Sequence, residues 1–293
     1  MAPARTARRY LQCDVFADRP GAGNALGVVF DAGDMDATAM QALAAWLNLS
    51  ETIFFLPPGE GADYRIRIFT PGSELPFAGH PSVGAAWVAV AHRLALPRDG
   101  QLVQQCEAGL LPVRVTSAEG GFHVAVRSPR AQPVGELAGP LPAGLDAVAA
   151  PDRPAALWNN GPLWWLVEAA SPTHVRGFAP DFAAIAAWTN ATRTTGVAIF
   201  AFEHDDGHDL VVRAFCPGDA VNVPEDPVTG SANALVAALL HRQGRLPGRD
   251  GRYIASQGRE LGRDGKVQVR VDDEGEVWIG GDVRQVIEGH LDW

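Results

Sequence analysis

Three acid–base side chains stand in segments suited to moving a proton. Glu51 lies in Asn48-Leu49-Ser50-Glu51-Thr52, at the head of an apolar run reaching Leu56. His80 lies in Gly79-His80-Pro81-Ser82-Val83-Gly84, and Asp226 in Glu225-Asp226-Pro227-Val228-Thr229-Gly230-Ser231. Each of the last two segments runs into an alanine-rich stretch, ending near Leu94 and Arg242. Proline is favoured at the first helical position, where its missing N–H would be unpaired anyway, so each loop is expected to deliver a helix N-terminus. Such an end carries up to four unpaired N–H groups and about half a positive charge. It therefore takes up a carboxylate and stabilises an enolate-like charge developing beside it. A carboxyl held between two such ends, with its pKa lifted by burial, can give and take a proton near neutrality, and Glu51 is the candidate.

Each residue also has a plainer reading. Aspartate is among the best helix caps, a lone histidine is often structural, and a charged residue opening an apolar strand is often simply exposed. Asn24, within Gly21-Ala22-Gly23-Asn24-Ala25, either braces the site or is a turn residue. Ser231 either donates from the first helical turn or is an ordinary polar residue at a helix start. Trp158, Trp164 and Trp165 point to core or interface more than to ligand stacking.

Several chemistries are excluded. The sequence has no Walker loop, no GxGxxG after a strand, no HExxH and no GxSxG elbow. Cys13, Cys106 and Cys216 are odd in number, in no CxxC spacing and outside both helix-leading loops. That disfavours a disulfide framework, a zinc site and a paired-thiol racemase. A net charge of −10 argues against broad nucleic-acid contact, yet leaves room for a small anion held by backbone amides. No apolar run approaches the roughly 20 residues that span a bilayer. The basic start from Met1 to Arg9 is not followed by a long apolar core. The expectation is a cytoplasmic, metal-free and cofactor-free protein acting on a small anionic substrate, with no nucleic-acid or membrane partner.

The elements that must position these residues come from a chain that repeats itself. Segment 53–91 aligns without a gap on 199–237, with thirteen identities in thirty-nine positions, among them Arg67/Arg213, Phe69/Phe215, Pro71/Pro217 and Gly72/Gly218. At that offset of 146 residues His80 matches Asp226, and Glu51 matches Val197, so the glutamate belongs to one half only. Residues 63–69 alternate apolar and polar side chains as a half-buried strand does, and 209–215 take the equivalent place. Strands are also expected at 101–106, 111–117, 121–127, 252–257, 266–271 and 276–281. An earlier helix is marked by Asp36 as N-cap and by Met40, Leu43, Ala44 and Leu47 at helical spacing. The Pro- and Ala-rich stretch 129–154 reads as a linker region. The expected fold is α+β: two pseudo-symmetric lobes, 1–128 and 129–293, each a mixed sheet curved around one central helix, with the site in the cleft between them.

Asp14-Val15-Phe16 with Gly23-Asn24, Asn48 to Thr52, Arg67 to Pro71, Glu74 to Pro81, Glu225 to Ala232 and Ser256-Gln257-Gly258-Arg259 closely resemble the phenazine-biosynthesis isomerase (PhzF) family, in order and over nearly the whole chain. The resemblance implies the diaminopimelate-epimerase-like fold, usually a homodimer. It implies Glu51 as proton shuttle, with Gly79, His80, Asp226 and Ser231 lining the pocket. Asn24, Pro81, Ser82, Thr229 and Gly230 are grouped with them as substrate-binding candidates. In the best understood member, the glutamate moves a proton within trans-2,3-dihydro-3-hydroxyanthranilate to give a ketone. Two alternatives remain: a cofactor-independent racemase or epimerase pairing Glu51 with His80 or Asp226, and a non-catalytic small-molecule binder on the same fold.

Overall fold

The apolar run headed by Glu51 forms the strand Glu51–Leu56, and the alternating run beside it forms Tyr64–Phe69, paired antiparallel with Thr52 opposite Phe69. The computed structural model describes residues 7–118, 121–142, 144–203, 207–219, 221 and 223–293. The chain divides into two compact units, one reaching Val126 and taking in Gly281–Trp293, the other Arg127–Gly280.

The first unit holds β1 (Ala7–Val15), β2 (Asn24–Val29), α1 (Ala37–Leu47), β3 (Glu51–Leu56), β4 (Tyr64–Phe69), β5 (Glu74–Leu75), α2 (Gly79–Ala91), β6 (Gln101–Cys106), β7 (Gly109–Ala118) and β8 (Gly121–Arg127). Its hydrogen-bonded order is the C-terminal strand Val283–Asp292, then β1, β2, β3, β4, β6, β7 and β8. Pairs β2–β3 and β4–β6 are parallel, the others antiparallel, and β5 lies beside β4. Ten of the thirteen residues of α2 are buried, against β1 to β4 and the C-terminal strand. Alanine and glycine at half of those places let the helix sit close to the sheet. As expected, Asp36 caps α1, its Oδ1 accepting from Ala39 N at 2.8 Å, and Met40, Leu43 and Ala44 are buried.

The second unit holds β9 (Gln132–Glu136), β10 (Ala156–Asn159), β11 (Leu163–Glu168), α3 (Pro172–Gly177), α4 (Phe182–Thr192), β12 (Gly196–Phe202), β13 (Leu210–Cys216), β14 (Val223–Asp226), α5 (Gly230–Arg242), β15 (Arg252–Gln257), β16 (Gly265–Val271) and β17 (Val277–Gly280). Its order, β9-β10-β11-β12-β13-β15-β16-β17 with β14 beside β13, repeats the first unit strand for strand, including the parallel pairs β11–β12 and β13–β15. The central helix α5 packs on β11, β16 and β17, while α3 and α4 cover β12 and β13. With both faces covered, β13 is buried at every position, the run expected of an enclosed strand.

Two expectations about domains change. The break falls after Val126, and the last thirteen residues leave the second unit to supply β18 (Val283–Asp292), which pairs along the length of β1 and completes the first sheet. The stretch 129–154 is no mere linker, because β9 within it pairs with β10 as the edge of the second sheet.

The duplication holds, though not at one offset. Asp63 and Asp209 each accept the backbone N–H of the adjoining parallel strand, from Val103 at 2.7 Å and Ile254 at 3.0 Å. Arg67 and Arg213 each fork onto a glutamate and lie over the phenylalanine two residues on, so here the offset is 146. One strand earlier, Phe54 faces Arg67 but Ile199 faces Arg213, so Glu51 corresponds to Gly196 and not to Val197. After the Pro-Gly turn the second unit is five residues longer. The forked glutamates are Glu74 and Glu225, the helices begin at Gly79 and Gly230, and left-handed residues recur at Arg93 and Gly244 and at Asp99 and Asp250. At this offset of 151, His80 corresponds to Ser231 and Asp226 to Leu75, which correct the expectation that His80 and Asp226 share one place. Pro81 is the third residue of α2, whereas Pro227 precedes Thr229, the N-cap of α5, so neither is at the first helical position.

Candidate active site

In the first unit the structure brings Asn24, Glu51 and His80 together. Asn24 opens β2, Glu51 opens the parallel neighbour β3, and His80 is the second residue of α2. Glu51 Oε2 lies 3.2 Å from His80 Nδ1, and Asn24 Nδ2 lies 3.4 Å from the same nitrogen. The histidine is 3% exposed and the glutamate side chain 15%, so the glutamate alone of the two keeps part of its surface open, while its Oε2, which faces the histidine, is buried. Burial pushes the His80 pKa down to about 3, against a smaller opposing effect of a backbone hydrogen bond at Ala25. His80 is therefore neutral at physiological pH, and the 3.2 Å approach of Glu51 Oε2 to its Nδ1 is not an ion pair.

The helix start adds its own polarity. Pro81 has no N–H and the Ser82 N–H is taken by Ala78 O at 3.2 Å, so Gly79 and His80 carry the N–H groups without a helical partner. Ala78 as N-cap makes no side-chain hydrogen bond that would block them. Ser82, a substrate-binding candidate, is fully buried, and its hydroxyl accepts Gln104 Nε2 at 2.9 Å, which ties α2 to β6.

Asn24 is set by a residue whose part sequence reading left unassigned. Asp14 is buried on β1, and its Oδ2 accepts Gly21 N at 2.6 Å and Gly23 N at 3.3 Å, closing the loop into β2. A Cβ on Gly23 would overlap the Val15 carbonyl oxygen. Gly23→Ala is accordingly expected to destabilise the protein by about 1–3 kcal/mol, as overpacked sites do. Urea unfolding measures this, and an unchanged midpoint would show that the loop yields without strain. At Gly196, the counterpart of Glu51, a Cβ would come within 2.6 Å of Trp164 Cζ3, so the second unit has no room for an acid there.

In the second unit Asp226, Thr229 and Ser231 gather around β15 and β11. Thr229 Oγ1 donates to Asp226 Oδ2 at 2.7 Å, and Gln257 Nε2 donates to Asp226 O at 2.9 Å. Trp164 Nε1 donates to Ser231 Oγ at 3.2 Å, and Asn160 Nδ2 to Ser231 O at 3.1 Å. Trp164 is thus both core, at 2% exposure, and a direct support of a candidate residue; Trp158 and Trp165 are core as expected. Gln257 and Asn160 were not among the candidates. Gln257 had a signal in Ser256-Gln257-Gly258, whereas Asn160 had none.

All three cysteines are buried, and burial pushes the Cys13 thiol up to about 12 and raises that of Cys106 as well. Thiols so held stay protonated near neutral pH. Among the described residues no group of three His, Cys, Asp or Glu side chains is placed to hold a metal ion, and no helix is long and apolar enough to cross a membrane.

An uncharacterized isomerase of Deinococcus radiodurans is 36% identical, covering 91% of this chain and 88% of its own. The trans-2,3-dihydro-3-hydroxyanthranilate isomerase of Pseudomonas chlororaphis is 35% identical, covering 87% of each chain. A crystal structure of a PhzF-family phenazine biosynthesis protein from Bacillus anthracis superposes with a TM-score of 0.83 at 22% identity, over 98% of this chain and 99% of that one. It supports the α+β fold alone. The family described as phenazine biosynthesis-like protein matches residues 13–289, and this chain belongs to that PhzF family.

Proposed function

We propose that this chain is an isomerase that moves a proton within a small carboxylate-bearing substrate, with Glu51 as the group that takes and returns it. The observation that carries the reading is a partly exposed glutamate whose carboxyl is set 3.2 Å from a buried, neutral imidazole at the start of α2. His80 adds no positive charge to pin Glu51 in its ionised form, so the carboxyl can hold or release a proton as the reaction requires. The Gly79 and His80 N–H groups offer a docking place for the substrate's own carboxylate beside it. One carboxyl working on one face relocates a proton between two carbons; inversion needs a second group on the opposite face. Asp226, in its own hydrogen-bonded loop, is the second proposed acid–base residue, the group that the epimerase alternative requires. The relationship to named isomerases supports the reaction class.

The test is incubation of the full chain in heavy water with trans-2,3-dihydro-3-hydroxyanthranilate, the compound in the Pseudomonas chlororaphis relative's name, followed by NMR. The expected product has its double bond relocated and contains less than one deuterium per turnover, because a single carboxyl returns part of the proton it removed. Recovered substrate inverted and fully deuterated at one carbon would make the protein an epimerase. No proton exchange with this compound or with a panel of cyclic unsaturated carboxylates would leave only the binder.

A further inference from the structure

The amide of Gln257 occupies a place where its orientation is forced. Its Oε1 lies 3.0 Å from Thr229 N and 3.0 Å from Asn233 Nδ2, and a backbone N–H can only donate, so that atom is the oxygen. Its Nε2 therefore donates, to Asp226 O at 2.9 Å and to Thr229 Oγ1 at 3.0 Å. The Thr229 hydroxyl, accepting there, has one proton left to give, and it lies 2.7 Å from Asp226 Oδ2. Thr229 is the N-cap of α5 yet makes no side-chain cap bond, because its hydroxyl serves this relay. The chain Gln257 N–H to Thr229 O–H to Asp226 has one polarity, and Gln257 and Thr229 are 1% and 5% exposed, which keeps competing water away.

We propose that Gln257 and Thr229 are positioning residues that deliver one fixed O–H to Asp226 and hold its side chain oriented as a carboxylate. This rests on Asp226 being the second acid–base group; Thr229 then acts through Asp226 and not as a substrate contact.

The test follows the side-chain carboxyl signals of the full chain carrying [4-13C]aspartate through a pH titration, with Asp226→Asn identifying the resonance. In Thr229→Val the Asp226 carboxyl is expected to titrate about one pH unit higher, the consequence of losing one hydrogen bond to a charged group. Thr229→Ser, which keeps the hydroxyl, should return it to the wild-type position, and Gln257→Leu should move it in the same direction as the valine. Thr229→Ala serves in place of the valine variant if that variant does not fold. An Asp226 titration unmoved in Thr229→Val or Thr229→Ala overturns the relay, and one unmoved only in Gln257→Leu removes Gln257 from it. Proton exchange on trans-2,3-dihydro-3-hydroxyanthranilate is measured in parallel. A shifted titration with no exchange in wild type keeps the relay and rejects the catalytic reading; exchange with no shift does the reverse.

Discussion

Glu51→Gln is expected to lower the rate of proton transfer by about 10²–10⁴-fold while leaving the protein folded. Glutamine has the shape of glutamate, so the 3.2 Å approach to His80 Nδ1 survives the substitution, and its amide N–H can donate to that nitrogen. What is lost is the one oxygen able to gain and lose a proton. The histidine beside it is a poor substitute. His80 is held neutral by burial and is 3% exposed. With a charged, partly exposed acid replaced by its amide, the melting temperature should move by a few degrees at most. Steady-state rates and solvent deuterium incorporation are the measurements, and a variant within threefold of wild type in both would remove Glu51 from the chemistry. Glu51→Asp sharpens the test, since a carboxyl withdrawn by one methylene should recover part of the rate if reach alone is altered.

The outline of the fold was legible because local physics wrote it. The apolar run beginning at Thr52, the alternation before Phe69 and the Asp36 cap each produced the expected element within a residue or two. Glu51 and His80 were legible from their motifs, and the structure places them in contact. What misled was the gapless repeat. Prolines and alanines recurring before both helices hid an insertion that the arginine–glutamate forks and the helix starts reveal, and the matched prolines 81 and 227 ended up inside and outside a helix. A better anchor stood in the chain: Arg98-Asp99-Gly100 and Arg249-Asp250-Gly251 are identical tripeptides at the later offset, each with its aspartate left-handed. β18 escaped for a different reason. Its residues are mostly exposed, so no period-2 burial signal exists, and its place is set by hydrogen bonds to β1 from the other end of the sequence. The polar support at Gln257, Asn160 and Asp14 was equally hidden, since a hydrogen bond between distant residues leaves no local pattern.

Burial of a neutral His80 also predicts that the protein loses stability in mild acid, well above the range in which most carboxylates titrate. In the unfolded chain this histidine takes up a proton near pH 6.5, whereas in the folded protein burial holds its pKa down at about 3. The unfolded state thus binds more protons between those values, and stability falls as pH is lowered through that window. Above pH 6.5 the residue is neutral in both states and contributes no slope. At full span the difference is on the order of 4–5 kcal/mol, and between pH 7 and pH 5 it is about 2 kcal/mol, a large share of a typical folding free energy. Glu51 lies 3.2 Å away, but desolvation is the largest influence on His80 and its pKa stays low. Urea unfolding of wild type and His80→Asn at pH 7.5, 6.5, 5.5 and 5 isolates this contribution, since every other titrating group is common to both. Wild type should lose about 2 kcal/mol more than the variant across that range. Equal losses would mean that His80 accepts its proton in the folded state, and the neutral imidazole beside Glu51 would have to be replaced by an imidazolium–carboxylate pair.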